Sequence, residues 1–158
     1  MPPSKIRWTQ DVWNPTTGCS KLSEGCKNCY AERMANRLFH MGKHKYRNNF
    51  QLTIHDSPRY LHLPLRKKRP TIYFVDSMSD LFHKNVPLAF IRKVFTVMNQ
   101  ATQHLFLLLT KRPERLQELS RQVTFTANIW LGVTVELPKY YFRIDLLRNT
   151  PAHVNSFP

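Results

Sequence analysis

Apolar residues gather in short runs that are separated by longer polar or amphipathic stretches. Short runs of this kind, bounded by turn residues, predict buried strands. The run 104–109 is almost continuously apolar, which is typical of a strand covered on both faces. The predicted strands are residues 6–13, 71–75, 104–109 and 129–135.

Each predicted strand is followed by a stretch with helical spacing. In the first, Tyr30, Met34, Leu38 and Met41 recur at i, i+4, i+8 and i+11, so we expect this face of the helix to be buried. Gly42 marks the end of that helix. The later helices are expected to turn the following residues inward: Phe90, Ile91, Val94, Phe95 and Met98; Leu116 and Leu119; Tyr140, Ile144 and Leu147.

Strands alternating with amphipathic helices predict a parallel sheet with right-handed crossovers. The expected fold class is therefore α/β, with about four strand–helix units. Length and apolar content fit one globular domain, residues 1–158, with a core of its own.

All cysteines of the chain lie in one turn-rich loop between the first strand and the first helix. Cys19, Cys26 and Cys29 form the pattern Cys-x6-Cys-x2-Cys, and Gly18 and Gly25 directly precede the first two. Clustered thiolates select zinc or an iron–sulfur cluster, and glycine lets the backbone bend closely around such a group. The aromatic residues that flank the loop are Trp8, Trp13 and Tyr30, and we expect at least two of them to pack in the core.

Three interpretations of the loop remain open. A disulfide would leave the third thiol unpaired. A structural zinc ion needs four protein ligands, and His40 or His44 is the candidate for the fourth. A four-iron cluster held by three cysteines keeps one iron free for chemistry, and we favour this interpretation.

The cysteine run, TGC at 17–19 and GCKNCYAE at 25–32, resembles a phage-associated, functionally uncharacterised family of radical-SAM-like proteins. Further motifs of this family follow in order: FVDSMSDLF at 74–82, LLTKRP at 108–113 and WLGVTVE at 130–136. The resemblance implies a [4Fe-4S] cluster on Cys19, Cys26 and Cys29, S-adenosylmethionine as cofactor, and a partial βα barrel of radical-SAM type. It supplies no substrate. The cysteine spacing also differs from the Cys-x3-Cys-x2-Cys that is common in radical-SAM enzymes.

The polar residues that follow the predicted strands are candidates for binding S-adenosylmethionine, because ligands bind beyond the carboxyl ends of parallel strands. With the resemblance, this placement assigns Ser77 and Asp80 to the amino group of the cofactor. It assigns Lys111 or Arg112 to the carboxylate and Glu136 to the ribose or the substrate. A helix-cap or surface role remains the alternative for each of them.

The chain carries 24 Lys and Arg against 10 Asp and Glu, a formal net charge of +14. Such an excess attracts polyanions, and nucleic acid is the expected partner. The segment 43–70 is a basic, aromatic-rich insertion within the domain, and we expect it to contact nucleic acid.

No apolar stretch approaches the ~20 residues needed to cross a bilayer, and the N-terminus lacks the apolar segment of a signal peptide. We therefore expect a cytoplasmic protein with reduced cysteines and no membrane contact.

The run after Pro151 starts a further apolar element that stops at residue 158, where the family continues. We therefore expect a C-terminally truncated member, whose last barrel units are missing. An unpaired parallel edge strand invites association, so a protein partner covering the open sheet edge is a further expectation.

Together these features predict a radical-SAM-like iron–sulfur protein acting on or near nucleic acid. The alternatives are a non-catalytic, basic nucleic-acid-binding protein with structural zinc, and an inactive truncated remnant.

Overall fold

A computed structural model describes residues 6–152. The strands are β1 (Asp11–Trp13), β2 (Thr16–Thr17), β3 (Thr53–Ile54), β4 (Ile72–Val75), β5 (Leu105–Thr110) and β6 (Ile129–Val133). The helices are α1 (Tyr30–His40), α2 (Pro58–Leu61), α3 (Leu63–Arg66), α4 (Leu88–Gln100), α5 (Pro113–Ser120) and α6 (Phe142–Arg148). Short 3-10 turns cover Glu24–Cys26, His44–Tyr46 and Pro138–Tyr140.

The main sheet has four parallel strands in the order β1-β4-β5-β6. This confirms the predicted parallel α/β sheet. The sequence did not indicate β2 and β3, which pair antiparallel as a small second sheet. The first strand is shorter than predicted, because only residues 11–13 pair with β4.

The core lies between the main sheet and its covering helices. The predicted inner face of α4 is buried, with Ile91, Val94 and Met98 fully enclosed. Phe106 in β5 and Leu131 in β6 are likewise inaccessible to solvent. Burial of this apolar area is the main favourable contribution to folding.

The predicted buried face of α1 was wrong for Tyr30, Met34 and Met41, whereas its fourth residue, Leu38, is partly buried. Tyr30, Met34 and Met41 are 50%, 41% and 56% exposed, whereas Ala31 and Ala35 are buried. The two small residues let the helix approach the loop regions closely, where it packs in a cluster with Tyr46 and Met78. The small volume available at the contact turns the two alanines inward, and of the larger residues of the predicted face only Leu38 packs against the cluster.

No helix formed by residues 6–152 has the length and apolar character required to span a lipid bilayer.

Candidate functional site

A cavity of about 620 Å³ opens at the carboxyl ends of the parallel strands. Residues that directly follow β4, β5 and β6 meet there with the loop that follows β2. All three cysteines contribute to its wall. The predicted site residues that also line it are Ser77, Asp80, Lys111 and Arg112.

Gly18 fixes the entry of the cysteine loop. Its φ of +80° lies in the left-handed region, and a Cβ at this position would overlap the Gln51 carbonyl. The Gly18 N–H donates to the Met78 carbonyl at 2.9 Å, and the Ser79 hydroxyl donates to the Gly18 carbonyl at 2.6 Å. The Cys19 N–H donates to the Phe50 carbonyl at 3.1 Å. Only glycine suits this backbone, so the position of the first cysteine depends on it.

Arg112 reaches over Cys19. Its Nη2 lies 3.9 Å from the Cys19 Sγ and donates to the Ser20 carbonyl and hydroxyl oxygens, both at 3.1 Å. Burial raises the pKa of the Cys19 thiol, the nearby Asp80 carboxylate raises it further, and the Arg112 guanidinium offsets part of this rise. The positive charge of an adjacent guanidinium stabilises the thiolate form of a cysteine, which is the form that binds metals.

Lys111 faces Cys26 in a similar way, with Nζ 3.9 Å from the Cys26 Sγ. Burial acts to raise the pKa of the Cys26 thiol, but hydrogen bonds from the backbone of Leu22 and Ser23 and from the Ser23 hydroxyl, together with the charge of Lys111, outweigh it. The resulting pKa lies below the ordinary value of cysteine. Consecutive residues at the end of β5 therefore each place a cation against a different thiol.

Cys29 is the N-cap residue of α1. The first turn of a helix presents unpaired N–H groups and a partial positive charge. The third thiol thus lies beside the positive end of a helix, although it makes no capping hydrogen bond with the backbone.

Asp80 is buried and its two oxygens have a nearly complete set of partners within the chain. They accept hydrogen bonds from the Thr110 hydroxyl at 2.8 and 3.0 Å, the Phe82 N–H at 3.0 Å and the Lys111 N–H at 3.2 Å. The Arg112 Nε lies 3.8 Å away. A carboxylate has about four acceptor sites. Asp80 therefore holds the end of β5 in place and fixes the direction of Lys111 and Arg112.

Ser77 and Asp76 follow β4 at the floor of the cavity. The Ser77 hydroxyl donates to Asn14 at 3.1 Å, and its carbonyl accepts from the Tyr30 hydroxyl. Asp76 has a φ of +54° and accepts the N–H and the hydroxyl of Thr16, both at 2.9 Å. Burial raises the pKa of Asp76 to about 7. These bonds tie β4 to the segment that leads into the cysteine loop.

Glu136 is not among the residues that line the cavity, although it contacts those that do. Its carboxylate pairs with Lys111 at 2.7 Å and with the buried Arg143 at 2.7 Å, and it accepts the Ser23 hydroxyl at 2.5 Å. A Cβ on Gly25 would lie 2.6 Å from the Glu136 side chain. Glu136 therefore supports the cysteine loop from behind.

An apolar wall completes the cavity, and sequence reasoning did not assign it. Trp8 and Phe74 pack with ring centroids 4.8 Å apart, next to Leu22 and Leu109. Trp8 is 45% exposed, so of the three aromatic residues near the loop only Trp13 packs in the core. The expectation that at least two would do so was wrong. Alternation along β4, which leaves Phe74 pointing away from Trp13, is the only sequence signal for this wall.

A protein-family model matches residues 3–157, and the family is described as a protein of unknown function (DUF5131). The chain belongs to this family. No curated protein and no solved structure matches the chain.

The two histidines considered as a fourth zinc ligand lie away from the cysteines in this member of the family. His40 is the last residue of α1 and Cys29 caps its start, so the helix separates them by about 16 Å. His44 follows in the next turn and is exposed. Neither lines the cavity. Within residues 6–152, no group of three or more histidine, cysteine, aspartate or glutamate side chains converges closely enough to hold a metal ion.

Proposed function

We propose that the chain is a radical-SAM-like iron–sulfur protein that uses S-adenosylmethionine in chemistry on or near nucleic acid. The observation that carries the proposal is that Cys19, Cys26 and Cys29 all lie on the wall of one cavity beyond the carboxyl ends of parallel strands. Ligand sites of α/β sheets occupy this position. The four parallel strands support a partial βα barrel of radical-SAM type, and the phage association likewise rests on the motif resemblance.

The donor set suits a [4Fe-4S] cluster. Three thiolates can hold such a cluster and leave one iron open. The cluster with its thiolates is anionic, and Lys111 and Arg112 each place a cation 3.9 Å from a cysteine sulfur. A four-iron cluster is also larger than a single zinc ion, so thiols spread around the wall of a cavity suit it better.

The remaining space suits S-adenosylmethionine. Cavities that bind small molecules typically enclose about 300–1,000 Å³ and combine apolar walls with a few polar groups. Trp8 and Phe74 offer an apolar surface for the adenine ring, and the Ser77 hydroxyl is placed for a polar end of the cofactor. When bound, the two groups together supply one-electron cleavage of a carbon–sulfur bond.

In this proposal the residues of the protein bind and orient the cluster and S-adenosylmethionine, and they exclude water from the cavity. Lys111 and Arg112 offset negative charge at the thiolates and can also meet the carboxylate of S-adenosylmethionine. Asp80 and Glu136 act mainly by positioning these two cations, because their oxygens are engaged within the chain. The ribose role first considered for Glu136 requires it to release one of these partners.

The proposal also includes a cytoplasmic location and a protein partner at the open edge of the sheet. A reducing compartment such as the cytoplasm would keep the three cysteines available as thiolate ligands. Strand β6 pairs on one side with β5, so a protein partner adding to its other side is compatible with the described sheet.

Anaerobic purification with iron, sulfide and zinc analysis tests the proposal. We expect about four irons per chain and a visible absorbance that bleaches on reduction. Replacing each cysteine by alanine should abolish both, while the double variant His40→Ala/His44→Ala should retain them. Stoichiometric zinc without visible absorbance, lost in the histidine variant, would instead establish the zinc-binding alternative. Absence of any metal in a folded chain would favour the inactive remnant.

A further inference from the structure

The outward surface of α1 carries apolar side chains that begin at the cavity. Tyr30 lines the cavity and is half exposed, and Met34 and Met41 continue from it on the following turns. Residues three or four positions apart are neighbours on a helix. The strip is about 16 Å long, the length of the helix.

Tyr30 is a fixed platform rather than a loose side chain. Its hydroxyl donates to the Ser77 carbonyl at the floor of the cavity. The ring is thereby held in one orientation while half of its surface faces solvent.

Arg33 and Arg37 lie beside this strip on successive turns, and both are exposed. In the described part of the chain no carboxylate forms a salt bridge with either. The one acidic residue of the helix, Glu32, is paired with Lys21 at 3.1 Å. The helix therefore presents two guanidinium groups next to exposed apolar and aromatic surface.

The segment 43–70, expected to supply aromatic stacking, is built differently. Tyr46 and His55 are buried, and Tyr60 is partly enclosed against the ring of His55. The Tyr60 carbonyl accepts from Trp13, which ties this part to the core. Its aromatic faces are thus mostly occupied by the protein, although several of its cations are exposed.

We propose that α1 is the nucleic-acid-binding element, and that it takes a single strand. Arg33 and Arg37 contact successive phosphates, and a base stacks on the exposed face of Tyr30 at the mouth of the cavity. Single-strand-binding proteins combine a cationic track with aromatic platforms in this way. The inference deepens the proposed function, on which it rests, because it delivers a nucleotide to the cysteine-lined cavity.

Fluorescence anisotropy with a labelled 20-nucleotide single strand, as DNA and as RNA, tests the proposal. The double variant Arg33→Ala/Arg37→Ala removes the track. The matched control is Arg92→Ala/Arg121→Ala, which removes the same charge from exposed residues of α4 and of the end of α5, outside both the cavity wall and the segment 43–70. Circular dichroism and thermal midpoints establish that all variants are folded.

We expect the α1 variant to weaken binding about tenfold or more, and to lower the magnitude of the slope of log K against log salt by about 1.4, since each phosphate contact contributes ~0.7 for a single strand. The control should change affinity by less than about threefold. Tyr30→Leu should weaken binding about tenfold through lost stacking, whereas Tyr30→Phe, which keeps the ring, should not.

Equal losses in the α1 variant and the control would overturn the proposal, because net charge alone would then explain binding. It would also be overturned if the α1 variant lost binding to phosphatidylserine vesicles while its oligonucleotide affinity was unchanged. Measuring oligonucleotide binding with both metal-free and iron-loaded protein separates the hypothesis that α1 binds nucleic acid from the hypothesis of an iron–sulfur function. Failure of iron loading with α1-dependent binding intact would count against the iron–sulfur function only.

Discussion

At the scale of single residues, the cavity is formed by polar groups that the chain itself holds in place. Asp80 fixes the end of β5, Asp76 fixes the end of β4, and Glu136 holds Lys111. A buried carboxylate is stable only when it is hydrogen-bonded or protonated. The acids around this site therefore order the backbone from which the cysteines and cations extend.

Asp76→Asn should change how stability depends on pH. Burial raises the pKa of Asp76 to about 7 in the folded chain, against about 3.9 when unfolded. The folded state binds the additional proton, so this group lowers the free energy of unfolding as pH rises from about 4 to about 7. Relative to wild type, the variant should gain stability over that range and level off above it.

Urea unfolding at a series of pH values between 5 and 8 measures this effect. The control Asp145→Asn changes an exposed acid that contacts only the neighbouring Arg148. Its difference from wild type should stay nearly constant with pH. A pH-independent difference for Asp76→Asn would mean that the Asp76 carboxyl is not protonated in the folded protein at pH 5.

At the scale of elements, the cysteine loop depends on backbone conformation as much as on its thiols. Two glycines of the chain have positive φ, Gly18 at +80° and Gly42 at +66°. Gly18 is enclosed by the carbonyls of Phe50 and Gln51, whereas a Cβ on Gly42 would meet nothing within 4 Å. Replacing each of these glycines by alanine therefore distinguishes backbone strain alone, at Gly42, from strain combined with steric overlap, at Gly18.

Gly42→Ala should destabilise the fold by about 1 kcal/mol, since it adds left-handed strain alone. Gly18→Ala should lose about 2 kcal/mol more, because backbone must move to admit the methyl group. We also expect iron loading to fall in Gly18→Ala and to persist in Gly42→Ala. Denaturant unfolding and iron analysis check both points, and equal behaviour of the two variants would contradict the packing described around Gly18.

The strands of the main sheet could be predicted from the sequence, but the buried face of α1 could not. Continuous apolar runs specify buried parallel strands, so the positions of Ser77, Lys111 and Arg112 at strand ends followed from pattern alone. The face of α1 did not, because Ala31 and Ala35 give a weak hydrophobic signal beside Tyr30 and Met34. Contacts such as Glu136 with Arg143 and Asp80 with Thr110 depend on side-chain geometry that periodicity does not encode.

At the scale of the whole molecule, charge is the dominant property. A net charge of +14 on 158 residues makes like charges repel one another across the folded surface. Few carboxylates are available to offset this repulsion. Exposed cations away from the cavity are therefore a source of instability as well as of affinity for polyanions.

Raising the ionic strength from about 0.01 M to about 0.15 M should stabilise the fold, because it shortens the screening length from roughly 30 Å to roughly 8 Å. The thermal midpoint in sodium chloride solutions measures this. Sucrose at matched osmolality serves as the uncharged control and should not reproduce the salt dependence. A midpoint that falls with salt would show that attractive ion pairs, rather than net repulsion, dominate the electrostatic free energy.

The ties between the cysteine loop and the region after β6 bear on how the protein is made. Ser23 is held by Glu136, and Glu24 by Lys139 and Tyr140, partners more than 110 positions later in the chain. A ribosome adding about 5–20 residues per second needs roughly 6–23 s to cover that distance. During that interval the nascent thiols lack their final support. Under the proposed function, delivery of iron and sulfide is therefore expected only once the region after β6 has been made, by a donor that recognises the assembled loop.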